Sequence, residues 1–124
     1  MSPNFWITCG ALINALGITL GAFGAHFFKT RLVAHDLITY ETAVRYLLIH
    51  AMALIVLGLL AIVRENLALK LTGWLFIIGI MLFSGSLFLL IATKVRLFGA
   101  ITPVGGLCFI VGWLSLAARV FRNF

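Results

Sequence analysis

The chain has 124 residues, of which 64% are hydrophobic and only 10% are charged. A soluble domain of this size could not bury so much apolar surface, so we expect lipid to be its solvent. The formal net charge of +6 does not indicate a nucleic-acid partner, because the basic residues stand singly or in pairs at the ends of apolar runs, where Lys and Arg contact lipid headgroups.

Four apolar runs follow one another along the chain, at residues 5–28, 42–63, 71–93 and 97–118. Each has about 20 residues or more, the length that a helix needs to cross a hydrocarbon core of about 30 Å. Backbone polar groups inside lipid must bond within the protein, so the runs are predicted to be helices. We therefore expect an all-α membrane protein, with four transmembrane helices in a compact antiparallel bundle that forms a single domain over residues 1–124.

The first run resembles a signal peptide in one respect, since Ala22-Phe23-Gly24 fits a small-residue cleavage site. However, the preceding segment Met1–Trp6 has no Lys or Arg, and the apolar run is longer than a usual signal core. We therefore expect the first run to be retained as a membrane span.

The segment before the second run also has helical periodicity. Its apolar residues recur at spacings of four, three and four, and the pattern continues without a break into the second run. These residues are Val33, Leu37, Tyr40 and Val44. We expect an amphipathic lead-in at the membrane interface before helix 2, capped at its start by Asp36 or Thr39.

The fourth run contains Thr102-Pro103, which has the sequence of an N-cap residue followed by proline at the first helical position. Proline is favourable there because it has no N–H to leave unpaired. This predicts a helix that begins at Pro103, with Leu97–Ile101 as an apolar bend before it.

The two cysteines are predicted to be free and buried. Cys9 lies about five residues into the first run, and Cys108 lies about five residues after the predicted helix start at Pro103, on a span that enters from the opposite side. Their depths differ by about 15 Å at the rise of an α-helix. A disulfide requires Cα atoms within about 7 Å.

An even number of spans places both termini on one side of the membrane. Basic residues are almost equally divided between the two sides, and the α-amino group adds to the terminal side. We expect a multi-pass membrane protein with cytoplasmic termini.

Small residues recur at helical spacing in three of the four runs. Such stripes let helix backbones approach closely in lipid, where no hydrophobic drive holds helices together. They hold the bundle together in one interpretation; in the other, one stripe faces outward and binds a second copy or a partner protein. The candidate packing residues are Gly10, Asn14, Gly17, Gly21, Gly24, Gly79, Gly105 and Gly112.

The polar residues of the runs lie mostly in one half of the bundle, near the first and third hinges. Glu41 and Arg45 have the spacing of a helix-face ion pair. His50 is unusual, because ionisable groups in membranes are rare and normally face a bundle interior, where Tyr46 could satisfy it. The candidate polar pocket comprises His26, Glu41, Arg45, Tyr46, His50, Ser84, Ser86 and Thr102.

The sequence lacks the spacings that catalysis or metal binding would require. It has no His pair one helical turn apart, no closely spaced Cys pair and too few acids for a carboxylate dyad. Haem ligation by His26 and His50 would need the two rings at similar depth, and His50 lies well below His26. We expect no catalytic residue, no metal and no cofactor.

Several segments together resemble a small family of integral inner-membrane proteins labelled domain of unknown function 423, which includes YgdD-like bacterial proteins and a eukaryotic transmembrane branch. The resemblance covers nearly the whole chain and implies a four-span membrane protein, without an established activity, substrate or cofactor. The segments are Gly21-Ala-Phe-Gly-Ala-His26, Glu41-Thr-Ala-Val-Arg-Tyr46, His50-Ala-Met-Ala-Leu54, Leu82-Phe-Ser-Gly-Ser-Leu-Phe88, Gly99-Ala-Ile-Thr-Pro-Val-Gly-Gly106 and Gly112-Trp113.

Three functions remain open. The first is a non-catalytic accessory protein or self-associating helix bundle, whose partners are the bilayer and a second copy or another membrane protein. The second is an oligomeric transporter or channel for a small solute, ion or lipid that uses the polar half. The third is an enzyme or redox subunit that binds haem, quinone or lipid.

Overall fold

A computed structural model describes residues 2–124, and over that range the chain forms helices and no strand. A short 3₁₀ turn, Phe28–Thr30, follows the first helix, and a π-helical turn, Met81–Gly85, joins the third and fourth helices into one continuous span. The helices are α1 (Pro3–His26), α2 (Ala34–Val63), α3 (Lys70–Ile80), α4 (Ser86–Thr93) and α5 (Arg96–Asn123).

Four of these units are long and apolar enough to cross a membrane: α1, α2, the combined span Lys70–Thr93 and α5. The prediction of an all-α, four-span bundle is therefore confirmed. The second, third and fourth spans are longer than the apolar runs that predicted them, because their helices continue into the polar hinges, whereas α1 has the predicted length but lies two residues earlier.

Helix α2 begins at Ala34 and runs without interruption to Val63, as the periodicity before the second run indicated. The predicted cap was wrong, because Val33 is the N-cap residue. Asp36 lies in the first turn of the helix, where its negative charge is favourable to the helix dipole. Thr39 lies one turn further along and donates its hydroxyl to the carbonyl of His35.

The predicted helix start at Pro103 was also wrong, because α5 begins at Arg96 and contains Pro103 in its interior. Proline removes one backbone donor from a helix. Within lipid-exposed helices, neighbouring side chains often bond the carbonyls that are released. The carbonyl that Pro103 releases is that of Gly99. The neighbouring Thr102 hydroxyl lies 3.3 Å from the carbonyl oxygen of Phe98 and 2.6 Å from the hydroxyl of Ser86 on α4.

Helix α2 lies at the centre of the bundle. It packs along α1 on one side and against α3, the π-turn and α4 on the other, while α5 packs against α3 and α4. The buried apolar core joins α2, α3 and α5, and Trp6 near the start of α1 also belongs to it. Helix α1 therefore lies at the edge, and the side of it that faces away from α2 is exposed.

Side-chain contacts show which hinges share a side of the bundle. Lys94, after α4, forms an ion pair with Asp36 at the start of α2. At the other end, the Arg64 guanidinium lies 4.2 Å from the ring centroid of Phe124 and 3.3 Å from the carbonyl oxygen of Asn123. The first and third hinges thus lie together, opposite the second hinge and the C-terminus.

The thiols of Cys9 and Cys108 are free, as predicted. Both are half-buried, which corrects the expectation that they are buried. Cys9 packs beside the core from α1, whereas Cys108 lies on α5.

Candidate functional site

His50 is the most constrained polar residue of the described chain. It lies on α2 facing α3 and α5, and its side chain is only 3% exposed. The ring atom Nδ1 lies 2.7 Å from the backbone carbonyl of Tyr46, and the indole N–H of Trp113 donates to Nε2 over 3.0 Å. This arrangement fits a neutral ring with its proton on Nδ1, since that nitrogen then donates and Nε2 accepts.

Aromatic rings enclose the imidazole of His50. The ring of Phe109 stacks on it with 3.5 Å between centroids and 8° between planes, and Phe76 lies 5.4 Å away on α3. Tyr46 packs on Phe83 at 4.7 Å, while much of its side chain remains exposed. Aromatic side chains therefore fill the interior of the bundle at the depth of His50.

Sequence reasoning found His50 and Tyr46 but missed Trp113. The predicted partner, Tyr46, bonds His50 through its backbone carbonyl, and the indole of Trp113 supplies the second bond. A signal was available, because α2 and α5 begin on the same side and His50 and Trp113 lie at nearly the same distance from their helix starts. An indole N–H at that depth is a natural donor to a buried imidazole.

A second polar group joins three spans near the π-turn. The Ser84 hydroxyl, which is fully buried, donates to the carbonyl oxygen of Ala43 on α2 over 2.7 Å. Ser86 lies 2.9 Å from the carbonyl oxygen of Phe83 and also bonds Thr102 on α5. The two serines stand two positions apart, which places them about 200° apart around the helix, and so they reach different neighbours.

The remaining predicted pocket residues lie elsewhere. His26 is exposed at the end of α1, on the side away from α2. Glu41 and Arg45 are exposed beside a groove between α1 and α2, and over residues 2–124 no ion pair joins them. The structure therefore divides the eight candidate residues among an interior layer, a groove and an outer surface, and does not bring them into one pocket.

Polar contacts also occur in the terminal half, which the sequence indicated to be almost purely apolar. The buried Thr72 hydroxyl on α3 lies 2.9 Å from the Ser115 hydroxyl on α5. Asn14 lies near mid-depth on α1 with its Nδ2 buried, and within the described chain that atom has no hydrogen-bond partner. Both halves of the bundle thus hold polar groups in helix interfaces.

A glycine seam, formed by Gly10, Gly17 and Gly24, attaches α1 to α2. These residues are buried and seven positions apart. A Cβ atom at Gly10 would lie 2.6 Å from the carbonyl oxygen of Ala51. Gly21 is looser, since a Cβ there would lie 3.5 Å from the nearest atom of Val44.

Glycines also bring α5 close to the third span. A Cβ at Gly79 would lie 2.5 Å from the Phe109 ring, and one at Gly112 would lie 2.7 Å from the Phe76 ring. Gly105 lies directly against the backbone of Leu82 and Phe83. The rings beside His50 therefore rest on glycines of the facing helix.

Within residues 2–124, no three His, Cys, Asp or Glu side chains come together as a possible metal-ligand group. The described geometry defines a multi-pass membrane protein in which the interior side chains of Ser84, Ser86 and His50 form hydrogen bonds to neighbouring helices.

Comparison with known proteins places the chain more narrowly. Residues 20–106 match the family described as "Protein of unknown function (DUF423)", and the chain belongs to that family. A UPF0382 membrane protein of Staphylococcus haemolyticus is 39% identical over 119 residues, which cover 96% of this chain and 97% of that protein. The UPF0382 membrane protein YwdK of Bacillus subtilis is 40% identical over 118 residues, 94% of this chain and 96% of its own. No solved structure matches the chain significantly.

Proposed function

We propose that this protein is a non-catalytic membrane bundle that self-associates through the exposed side of α1. The observation that carries this proposal is a stripe of short side chains on that side, directly opposite the glycine seam. We call it the outer α1 face. It comprises Thr8, Ala11, Ala15, Thr19, Ala22 and, at its hinge end, His26, all of which are exposed.

The spacing of the outer α1 face is that of a helix-packing surface. Its residues recur at intervals of three, four, four, three and four, which keeps them on one side of a helix. In lipid, short side chains favour helix association because the backbones can approach closely and gain dispersion contacts. The same chain uses this device between α1 and α2, where the glycines meet Ala51, Leu47 and Tyr40.

The hinge end of this face is concave. A hollow of about 540 Å³ lies over Thr19, Ala22 and His26, with Phe23 and Phe27 at its edge. A side chain from an opposing helix can fill such a hollow. The shape therefore favours a packed protein partner, and symmetry makes a second copy the simplest one.

The interior contacts support a structural role. Ser84 bonds the backbone of α2, Ser86 bonds Thr102, and His50 is held on both ring nitrogens. These bonds join helices to one another and leave the named polar atoms engaged. A bundle of this kind is a stable platform for association.

We further propose a location in the bacterial cytoplasmic membrane with both termini in the cytoplasm. The relatives named above are bacterial membrane proteins. Four basic residues lie on the terminal side and four at the first and third hinges, so it is the α-amino group that inclines the positive-inside rule towards cytoplasmic termini. A green fluorescent protein fused to the C-terminus should fluoresce, whereas an active alkaline phosphatase fusion would contradict this orientation.

The alternative function is an oligomeric transporter or channel for a small solute, ion or lipid, and the π-turn favours it. Such turns are frequent at functional sites, and this one lies among the polar contacts of the bundle. Proton and K⁺ flux into reconstituted vesicles tests it with ion-sensitive dyes. If His50→Ala and Arg45→Ala both reduce the flux, the result favours a transport function. If the flux is unchanged in both variants, these two residues do not take part in transport.

The mass of the particle in mild detergent tests self-association directly. We expect the wild-type chain to be larger than a monomer by light scattering, and Ala15→Leu to shift it towards the monomer by separating the two α1 backbones. Ala117→Leu is the matched control, because it adds the same side chain at an exposed position of α5. A monomeric wild-type particle, or equal effects of both substitutions, would contradict the proposal.

A further inference from the structure

A lipid-facing groove lies between α1 and α2 close to the first hinge. Its volume is about 270 Å³, and its α1 wall contains Gly21 and Ala25. Its α2 wall contains Glu41, Val44, Arg45 and Leu48. Because glycine has no side chain, the groove is deep enough at Gly21 to hold part of an acyl chain.

The two charged residues of this groove are exposed and unpaired within the described chain. Glu41 and Arg45 stand one helical turn apart on α2, and over residues 2–124 no salt bridge or side-chain hydrogen bond involves either of them. Asp36, by contrast, is paired with Lys94. A carboxylate and a guanidinium next to lipid both require counter-charges, which the surroundings must supply.

The two charged residues of the groove lie at different depths along the membrane normal. Helix α2 begins at the first hinge, so Glu41 lies nearer the aqueous side and Arg45 lies about 6 Å deeper. In a zwitterionic phospholipid the phosphate lies nearer the glycerol, and the ammonium group extends beyond it. The groove presents the opposite charges in the same order.

From this complementarity we propose that the α1–α2 groove binds a phospholipid with a primary-amine zwitterionic headgroup, of the phosphatidylethanolamine class. The guanidinium of Arg45 donates to the phosphate, because its positive charge and its planar fork of N–H donors suit two oxygens of a phosphate anion. The carboxylate of Glu41 accepts from the ammonium group. One acyl chain lies along Gly21, Val44 and Leu48.

Other lipids complement the groove less well. Phosphatidylglycerol would engage Arg45 but has no cation for Glu41. Phosphatidylcholine carries the same charges but has no N–H donors for the carboxylate. The proposal therefore predicts an order of preference, and it does not depend on association through the outer α1 face.

Native mass spectrometry of the full chain in mild detergent tests this order. The probes are equimolar phosphatidylethanolamine, phosphatidylcholine and phosphatidylglycerol with identical acyl chains. We expect phosphatidylethanolamine to be retained about three- to five-fold more than phosphatidylglycerol, the scale of one exposed ion pair. Phosphatidylcholine should fall between the two. Equal retention of the three lipids by the wild-type chain would overturn the proposal.

Two variants separate the roles of the charges. Glu41→Gln should abolish the preference for phosphatidylethanolamine over phosphatidylglycerol, and Arg45→Gln should lower retention of both lipids. Lys70→Gln, at the opposite end of the bundle, is the matched control and should behave as the wild type. Because the ratio of two lipids is measured within each variant, partial loss of folding does not change it. An unchanged ratio in Glu41→Gln would overturn the assignment.

Discussion

Helix α1 and the three remaining spans are held by different means. Helices α2, α3 and α5 share a buried core, stacked rings and hydrogen bonds between helices. Helix α1 contributes Trp6 to that core at one end, where it packs against Gly73 and Trp74 of α3. Along the rest of its length α1 is attached to α2 through the glycine seam and one bond, from the Tyr40 hydroxyl to the carbonyl of Leu20. The difference teaches that polar contacts fix the interior, whereas close backbone packing attaches the edge helix, which retains a second small-residue face for other contacts.

The largest expected effect is at the contact between α5 and the third span. Gly105→Ala places a Cβ against the backbone of Leu82 and Phe83, which cannot move aside as a side chain can. We expect a loss of about 3 kcal/mol in the free energy of unfolding, measured by steric trapping in mixed micelles. Gly99→Ala on the same helix is the control, since its Cβ would lie 3.5 Å from Leu90. Similar losses of unfolding free energy for the two variants would show that close backbone contact at Gly105 does not set the stability of this interface.

The glycine seam should be the next most sensitive region. Gly10→Ala brings a Cβ 2.6 Å from the carbonyl oxygen of Ala51, and we expect it to destabilise the α1–α2 contact by about 2 kcal/mol. Gly21→Ala, on the same helix, meets Val44 at an ordinary 3.5 Å and should be nearly neutral. Protection of α1 amides from hydrogen exchange reports the contact. Equal protection in both variants would show that α1 is not held by close packing.

The hydrogen bond between His50 and Trp113 should contribute less to the free energy of unfolding than the glycine seam does. A double-mutant cycle with His50→Phe and Trp113→Phe keeps rings in the interior and isolates the hydrogen bond. Interhelical bonds in membranes are worth about 0.6 kcal/mol on average, and we expect a coupling energy of that size. A coupling of zero would mean that ring packing alone fixes this layer.

The smallest effect is expected at the hinges. Asp36→Asn removes the ion pair with Lys94, whose side chain is 66% exposed. Exposed pairs contribute about 0.2–1 kcal/mol and are screened by salt. The loss in unfolding free energy should therefore fall further at high ionic strength. A loss as large as that of Gly10→Ala would show that the hinge ion pair stabilises the bundle as much as the glycine seam does.

Much of the fold was predictable from the sequence because length and hydropathy suffice to define membrane spans. The continuity of α2 from Ala34 followed from apolar spacing in the same way. The errors at Asp36 and Pro103 have one cause. Capping rules describe helix ends in water, and here Val33 begins α2 while Thr102 and Ser86 accompany a proline inside α5.

The sequence predicted the membrane depth of the candidate site residues but not which neighbours their side chains face. Counting along the helices placed His50, Ser84 and Arg45 in one half of the bundle, but it could not say which neighbour each side chain faces. Ser84 bonds Ala43 on α2 whereas Ser86 bonds Thr102 on α5, and nothing in the local sequence specifies these partners. Rotation about the helix axis decides whether a residue is interior or exposed, and it depends on packing between spans.

Cysteine cross-linking in native membranes tests the central claim, association through the outer α1 face, most directly. The background is Cys9→Ser, Cys108→Ser, which removes both free thiols. In that background Ala15→Cys should form a disulfide-linked dimer under mild oxidation, while Leu114→Cys, at an exposed position of α5, should remain monomeric. A monomeric Ala15→Cys variant, or equal dimer from both positions, would contradict the account.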